Sequence, residues 1–149
     1  MGEVYVLRKP TFKSVKAHSG PVRSVSFSPD DQFILSGGND KSVKVWRRSS
    51  LKFQYSIYGH KNWINAARFS PDMRLIGTCS EDHSVKIWDA EIKKQAMRFT
   101  DHLDAVTDAH FSPDGTCIAS CGADANINIR DIRSGKLIQH YESNEMSLN

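Results

Sequence analysis

The sequence predicts an all-β fold of three four-stranded sheets in series, on two observations. A period of 42 residues runs through the chain without slippage, and each period splits into four short strand-like runs separated by turn residues. His18, His60 and His102 hold the register, as do Phe27, Phe69 and Phe111. So do Asp40, Asp82 and Asp124, and Ser36, Thr78 and Ser120. No stretch carries the three-to-four-residue apolar spacing of a helix. A single repeat cannot bury its own apolar faces, so neighbours must stack, each repeat forming one blade of a partial β-propeller.

The first repeat shows the elements in order. Residues 22–27 mix apolar and small side chains at strand length. Ser28-Pro29-Asp30-Asp31 then turns the chain, because Pro presets φ and Asp bonds its own backbone. Residues 33–37 form a short β-rich run, Gly38-Asn39-Asp40-Lys41 a second turn, and residues 43–46 alternate in and out. A fourth run, 53–58, leads to the next histidine. The repeats are thus 18–59, 60–101 and 102–141. Residues 4–7 and 12–16, split by Lys9-Pro10-Thr11, look like the last two strands of a preceding blade (domain 1–17), and 142–149 like a polar tail.

Composition narrows the function. Of 149 residues, 39% are hydrophobic and 25% charged, the balance of a globular chain rather than a disordered one. No apolar run reaches membrane-spanning length and no secretory signal is visible. Cys79, Cys117 and Cys121 form no Cys-x-x-Cys pair, so they predict small buried packing groups in a reducing compartment rather than a zinc site or disulfide framework. Charge is uneven: residues 1–61 carry 11 Lys/Arg against 4 Asp/Glu, a balance of +7, and residues 62–149 a balance of −4. That polarity suits an acidic partner for the first half or head-to-tail association of copies.

The blocks Gly59-His60, Phe69-Ser70-Pro71-Asp72 and Asp82 followed by Val85-Lys86-Ile87-Trp88-Asp89 resemble the WD40 repeat family, over residues 12–141. Only the second repeat has both Gly-His and Trp-Asp; the first reads Ala17-His18 and Trp46-Arg47, the third Asp101-His102 and Arg130-Asp131. The resemblance implies a hydrogen-bonded set inside each blade: His18, Ser36, Asp40 and Trp46; His60, Thr78, Asp82 and Trp88; and His102, Ser120 and Asp124, without an indole. It also implies that about seven blades normally close the ring. Three and a half leave open flanks, which a longer parent chain or self-association would cover.

Ser/Thr, His and Asp are the residue types of a nucleophilic hydrolase, but here the set recurs once per blade, as a scaffold device does. No catalytic residue is therefore assigned. His83, His110 and His140 have no metal-ligand partners at useful spacing, so no metal and no cofactor is expected.

Less common stretches point to a subfamily. His60-Lys61-Asn62-Trp63-Ile64, the block Gly115-Thr116-Cys117-Ile118-Ala119, and Lys136-Leu137-Ile138-Gln139-His140-Tyr141 resemble the middle repeats of the proteome-of-centriole WD-repeat family. That resemblance implies a non-catalytic scaffold at centrioles and ciliary basal bodies, in the cytoplasm and cytoskeleton, with tubulin or centriolar proteins as partners. The alternative is a generic WD40 adaptor of a signalling, ubiquitin-ligase or RNA-processing complex. Nucleic acid is disfavoured, because Arg and aromatic residues do not interleave as a base-stacking surface requires. Trp63 is either an inter-blade aromatic or an anchor on the loop-bearing rim. Arg23, Asn39, Asn62, Asn65 and Glu81 are further rim candidates, with Ala123 and Thr107. Lys41, Lys44, Arg47 and Arg48 are the basic candidates for an acidic partner.

Overall fold

The computed structural model describes Gly2 and residues 12–142, with side chains described up to Gln139. Strands β1 (Val22–Phe27), β2 (Phe33–Gly38), β3 (Ser42–Arg47) and β4 (Phe53–Tyr58) form one antiparallel sheet in that order. The second sheet holds β5 (Ile64–Phe69), β6 (Leu75–Ser80), β7 (Val85–Asp89) and β8 (Lys94–Phe99). The third holds β9 (Val106–Phe111), β10 (Cys117–Gly122), β11 (Asn126–Asp131) and β12 (Leu137–Glu142). Among the described residues there is no helix. The fold is all-β, three blades of a partial propeller.

The turns explain the strand ends. Ser28 Oγ donates to Asp30 Oδ1 at 2.6 Å, while Ser28 Oγ and Asp30 Oδ1 accept the backbone N–H groups of Phe33 and Gln32. Ser70–Asp72 and Ser112–Asp114 repeat that arrangement. The fourth position of the turn is left-handed in every repeat (Asp31 φ 63°, Met73 63°, Gly115 73°), and only the last copy uses the residue for which that conformation is free of strain.

The core lies between the blades rather than inside any one of them. Leu35, Val43, Val45 and Ile57 of blade one pack with Ile64, Ala67, Ile76 and Trp88 of blade two. Ala66, Cys79, Val85 and Ile87 of blade two pack with Val106, Ala109, Ile118 and Ile132 of blade three. Each fully buried Leu, Ile or Val contributes roughly 1.5–3 kcal/mol, so a blade is held mainly by its neighbours.

Residues 12–18, which hold the run 12–16 expected to close a preceding blade, join none of the three described sheets. The companion run 4–7, and the tail beyond residue 142, lie outside the described residues. Of the thiols, only Cys79 is buried; Cys117 and Cys121 are half-exposed. Burial, with Asp108 nearby, pushes the Cys79 thiol well above its ordinary value, so it stays protonated and packs as a small apolar group.

Candidate functional site: intrablade networks and a rim cleft

Each blade threads one chain of hydrogen bonds from the loop before its first strand to the turn between its second and third. In blade two His60 Nδ1 lies 2.8 Å from Asp82 Oδ2, which places the proton there; Nε2 then accepts from the Thr78 hydroxyl at 2.7 Å. The Trp88 indole N–H donates to Thr78 Oγ1 at 2.9 Å. Blade one has the same geometry: His18 to Asp40 at 2.9 Å and to Ser36 at 2.8 Å, with Trp46 donating to Ser36 Oγ at 2.9 Å. Blade three keeps His102 to Asp124 at 3.0 Å and to Ser120 at 2.9 Å.

Arg130 stands outside that set. Its guanidinium pairs with Asp101, donates to the Gly135 carbonyl at 2.8 Å and stacks on Phe99, while its Nε is buried without a partner. The exchange is a matched one. In blade two a Cβ on Gly59 would come 2.7 Å from the Trp88 ring, so a small residue there makes room for the indole. Where the indole is gone, the same position carries the carboxylate that neutralises the arginine.

Sequence reasoning missed two further members. Ser42 and Ser84 donate to Asp40 and Asp82 at 2.7 and 2.6 Å. Lys44 and Lys86 reach back to the carbonyls of Ala17 and Gly59, both at 2.8 Å. Both pairs recur at the same 42-residue spacing as the histidines, so the signal was present.

None of this forms a catalytic centre. The Thr78 hydroxyl is fully buried and is spent between an indole and an imidazole, where no substrate reaches it. Among the described residues no three His, Cys, Asp or Glu side chains gather as metal ligands.

The carboxylates have an energetic consequence. Burial raises the pKa of Asp40, but hydrogen bonds from Ser42, His18 and the N–H groups of Ser42 and Ser19 outweigh it and hold the carboxyl down at about 2. Asp82 is lowered in the same way. A carboxyl lowered on folding contributes stability that is complete above its unfolded value of about 3.9 and drains away as pH falls through the folded value. Asp40→Asn is therefore expected to flatten the loss of stability between about pH 4 and pH 2. Denaturation across that range checks it, and an acid limb parallel to that of the unchanged chain refutes it.

The second constellation is open to solvent. Arg23 at the start of β1 donates Nε–H to Asn65 Oδ1 at 2.8 Å. Asn65 in turn donates to Glu81 at 3.1 Å and to the Val106 carbonyl at 2.8 Å. The Arg23 guanidinium lies 3.6 Å from Glu81 and stacks over Trp63, 4.9 Å from the ring centroid. Trp63 is 43% exposed, so it sits on the rim and not between blades. Arg23, Asn65 and Glu81, with Pro21, Val22 and Thr107, line a cleft of about 460 Å³. Asn62 is exposed and accepts the backbone N–H of Trp63 at 2.8 Å, and Asn39 leaves its side-chain oxygen buried and unpaired.

The basic candidates do not share a surface. Lys41 is in the β2–β3 turn, on the rim side, while Arg47 ends β3 and Arg48 follows it, roughly 16 Å away along the strand. Arg48 pairs with Asp31, Arg47 stacks on Phe33, and Lys44 is tied to Ala17. Alternation along β3 tells which face a side chain takes, not what that face packs against, so the sequence does not reveal that the Lys44 ammonium is held by the Ala17 carbonyl.

Comparison with known proteins agrees with this architecture. The family model described as "WD domain, G-beta repeat" matches residues 9–47, 51–89 and 93–131. The chain belongs to the WD40 repeat family. WD40 domains in general serve as scaffolds for protein–protein interaction. Individual relatives match only locally: a "Ribosome biogenesis protein BOP1 homolog" of Dictyostelium discoideum is 42% identical over 40 residues, 27% of this chain and 5% of that protein. "Protein HIR1" of Yarrowia lipolytica is 39% identical over 46 residues, 31% of this chain and 4% of that protein. The chain thus spans about a twentieth of the relatives it matches, and each match is one WD40 repeat long.

Proposed function

We propose that this chain is a non-catalytic scaffold whose protein partner seats on the rim cleft where blades one, two and three meet, and that it acts at the centriole or ciliary basal body. The observation that carries the first part is the assembly of Arg23, Trp63, Asn65 and Glu81. Arg23 of blade one meets Trp63, Asn65 and Glu81, 40 to 58 positions later, as a cation stacked on an exposed aromatic and facing a carboxylate beside the cleft. Such aromatic and Arg anchors carry most of the energy at protein interfaces. The location rests on the resemblance of the Trp63 stretch and of residues 115–119 and 136–141 to the centriolar family. The matches to ribosome-biogenesis and HIR1 proteins are each one repeat long and favour no rival.

Trp63→Ala with Arg23→Glu, in the full-length protein tagged in ciliated cells, is expected to weaken recruitment by about tenfold or more, since hot-spot losses reach at least about 2 kcal/mol. Arg47→Glu with Arg48→Glu, far from the cleft, should leave recruitment unchanged. Undiminished recruitment of the first variant overturns the rim site; an unchanged protein that never reaches centrioles overturns the location.

A further inference from the structure

The outer strand of each blade is a sheet edge, and one of the three lacks the usual protection. Hydrogen bonds between blades run from first strand to first strand: Arg23 to Asn65, Ser26 to the Ala67 carbonyl, Asn65 to the Val106 carbonyl and Arg68 to the Ala109 carbonyl. The blades therefore converge at β1, β5 and β9, and β4, β8 and β12 end their sheets on the outside. Such an edge presents a row of unpaired N–H and C=O groups, which charged residues or proline normally guard. β8 carries Lys94 and Arg98, and β12 carries His140 and Glu142. β4 reads Phe53-Gln54-Tyr55-Ser56-Ile57-Tyr58, without charge or proline. Short, uncharged, aromatic-rich segments of that kind pair readily with their own copies.

The ladder tells which groups are free. Arg47 donates its N–H to the Lys52 carbonyl and Arg48 to the Gln32 carbonyl. Odd-numbered residues of β3 thus turn their backbone to β4, and even-numbered ones to β2. Val45 with Tyr55 and Val43 with Ile57 are then the hydrogen-bonded pairs, in a register that runs without a shift from Tyr55 to Tyr58. The backbone N–H and C=O of Ser56 and Tyr58 point away from β3, and among the described residues no strand meets them. The Phe53 and Tyr58 side chains are 52% and 66% exposed.

We propose that β4 pairs antiparallel with β4 of a second copy, about a two-fold axis at Ile57. Ser56 of each copy then lies opposite Tyr58 of the other, and each such pair exchanges two N–H···O bonds, which uses every free backbone group of both residues. A two-fold contact sets a strand against itself, so a charged strand meets its own sign. Lys94 and Arg98 would bring cations against cations on β8. On β4 the nearest charges along the chain, Lys52 and Lys61, stand five and four residues from the axis. The contact asks for no particular number of blades, because the outer strand of a propeller stays on its circumference however the ring is closed. It also leaves the rim cleft open, since that cleft lies among the first strands.

One pair of strands is a small interface and a weak one, so light scattering on the chain should run from about 10 to about 500 µM. The mass should rise with concentration from 16.8 kDa towards twice that value. Over the same range hydrogen exchange at the Ser56 and Tyr58 amides should slow about fivefold. Ser56→Pro removes an N–H that β3 does not use, and Ser56→Lys sets like charges across the axis. Each should hold the mass at one copy and keep the Tyr58 amide fast, the lysine variant serving where proline unsettles the fold. Ala96→Lys on the β8 edge should change neither reading. Association through any other face would leave the Ser56 and Tyr58 amides fast at every concentration, and that result overturns the pairing. So does protection of those amides in a monomer, or an assembly that both Ser56 variants leave intact.

Discussion

Thr78→Val is expected to cost roughly 3 kcal/mol of folding stability, and Ser120→Ala at the same position of blade three about 1 kcal/mol. Thr78 serves two partners, accepting the Trp88 indole N–H and donating to His60 Nε2, in a site without water-accessible surface. Valine keeps the shape and removes both bonds, and each buried group left unpaired costs about 1–3 kcal/mol. Ser120 keeps His102 at 2.9 Å but lacks the indole donor, since Arg130 turns away towards Asp101. Ser36→Ala in blade one, where Trp46 is present, should resemble Thr78→Val rather than Ser120→Ala. Chemical denaturation reads the three losses as shifts of the midpoint at constant slope. Equal losses in blades two and three would mean that the indole contributes nothing.

Much of the fold could be read from the sequence, because its determinants are local and repeated. Runs 22–27 and 53–58 coincide with β1 and β4, since a Ser-Pro-Asp turn or a histidine loop bounds each strand within a few residues. The rim is partly legible for the same reason: Arg23 and Asn65 occupy one register position, and the structure joins them by a hydrogen bond across the junction. What the sequence hides depends on a neighbour. Residues 12–16 have the apolar and basic mixture of a strand but no ladder to join among the described sheets. Lys44 looks like a solvated charge until the Ala17 carbonyl is seen in front of its ammonium. Arg130 looks like a defect until Asp101, 29 residues earlier, is found paired with it.

That pairing leads to an expected rescue. The junction of blades one and two holds Ile57, Gly59 and Trp88 where the junction of blades two and three holds Phe99, Asp101 and Arg130, one period apart in each case. Arg130→Trp alone brings an indole against the Asp101 side chain, as the 2.7 Å approach of a Cβ at Gly59 to Trp88 shows, and strips Asp101 of its cation. It should lose about 2 kcal/mol, part overpacking and part an unpaired half-buried charge. Asp101→Gly alone leaves the arginine with a buried Nε and no counter-ion, and should lose about 1–2 kcal/mol. The combination Phe99→Ile, Asp101→Gly and Arg130→Trp restores the blade-two set as a unit. It removes the orphaned Nε and supplies Ser120 with the indole donor that Thr78 has at 2.9 Å. The triple variant should therefore match or exceed the unchanged chain by about 1 kcal/mol, a coupling of the size seen between residues in direct contact. If the triple variant is no more stable than Arg130→Trp alone, the three positions do not act together, and the small-residue rule beneath the tryptophan fails with them.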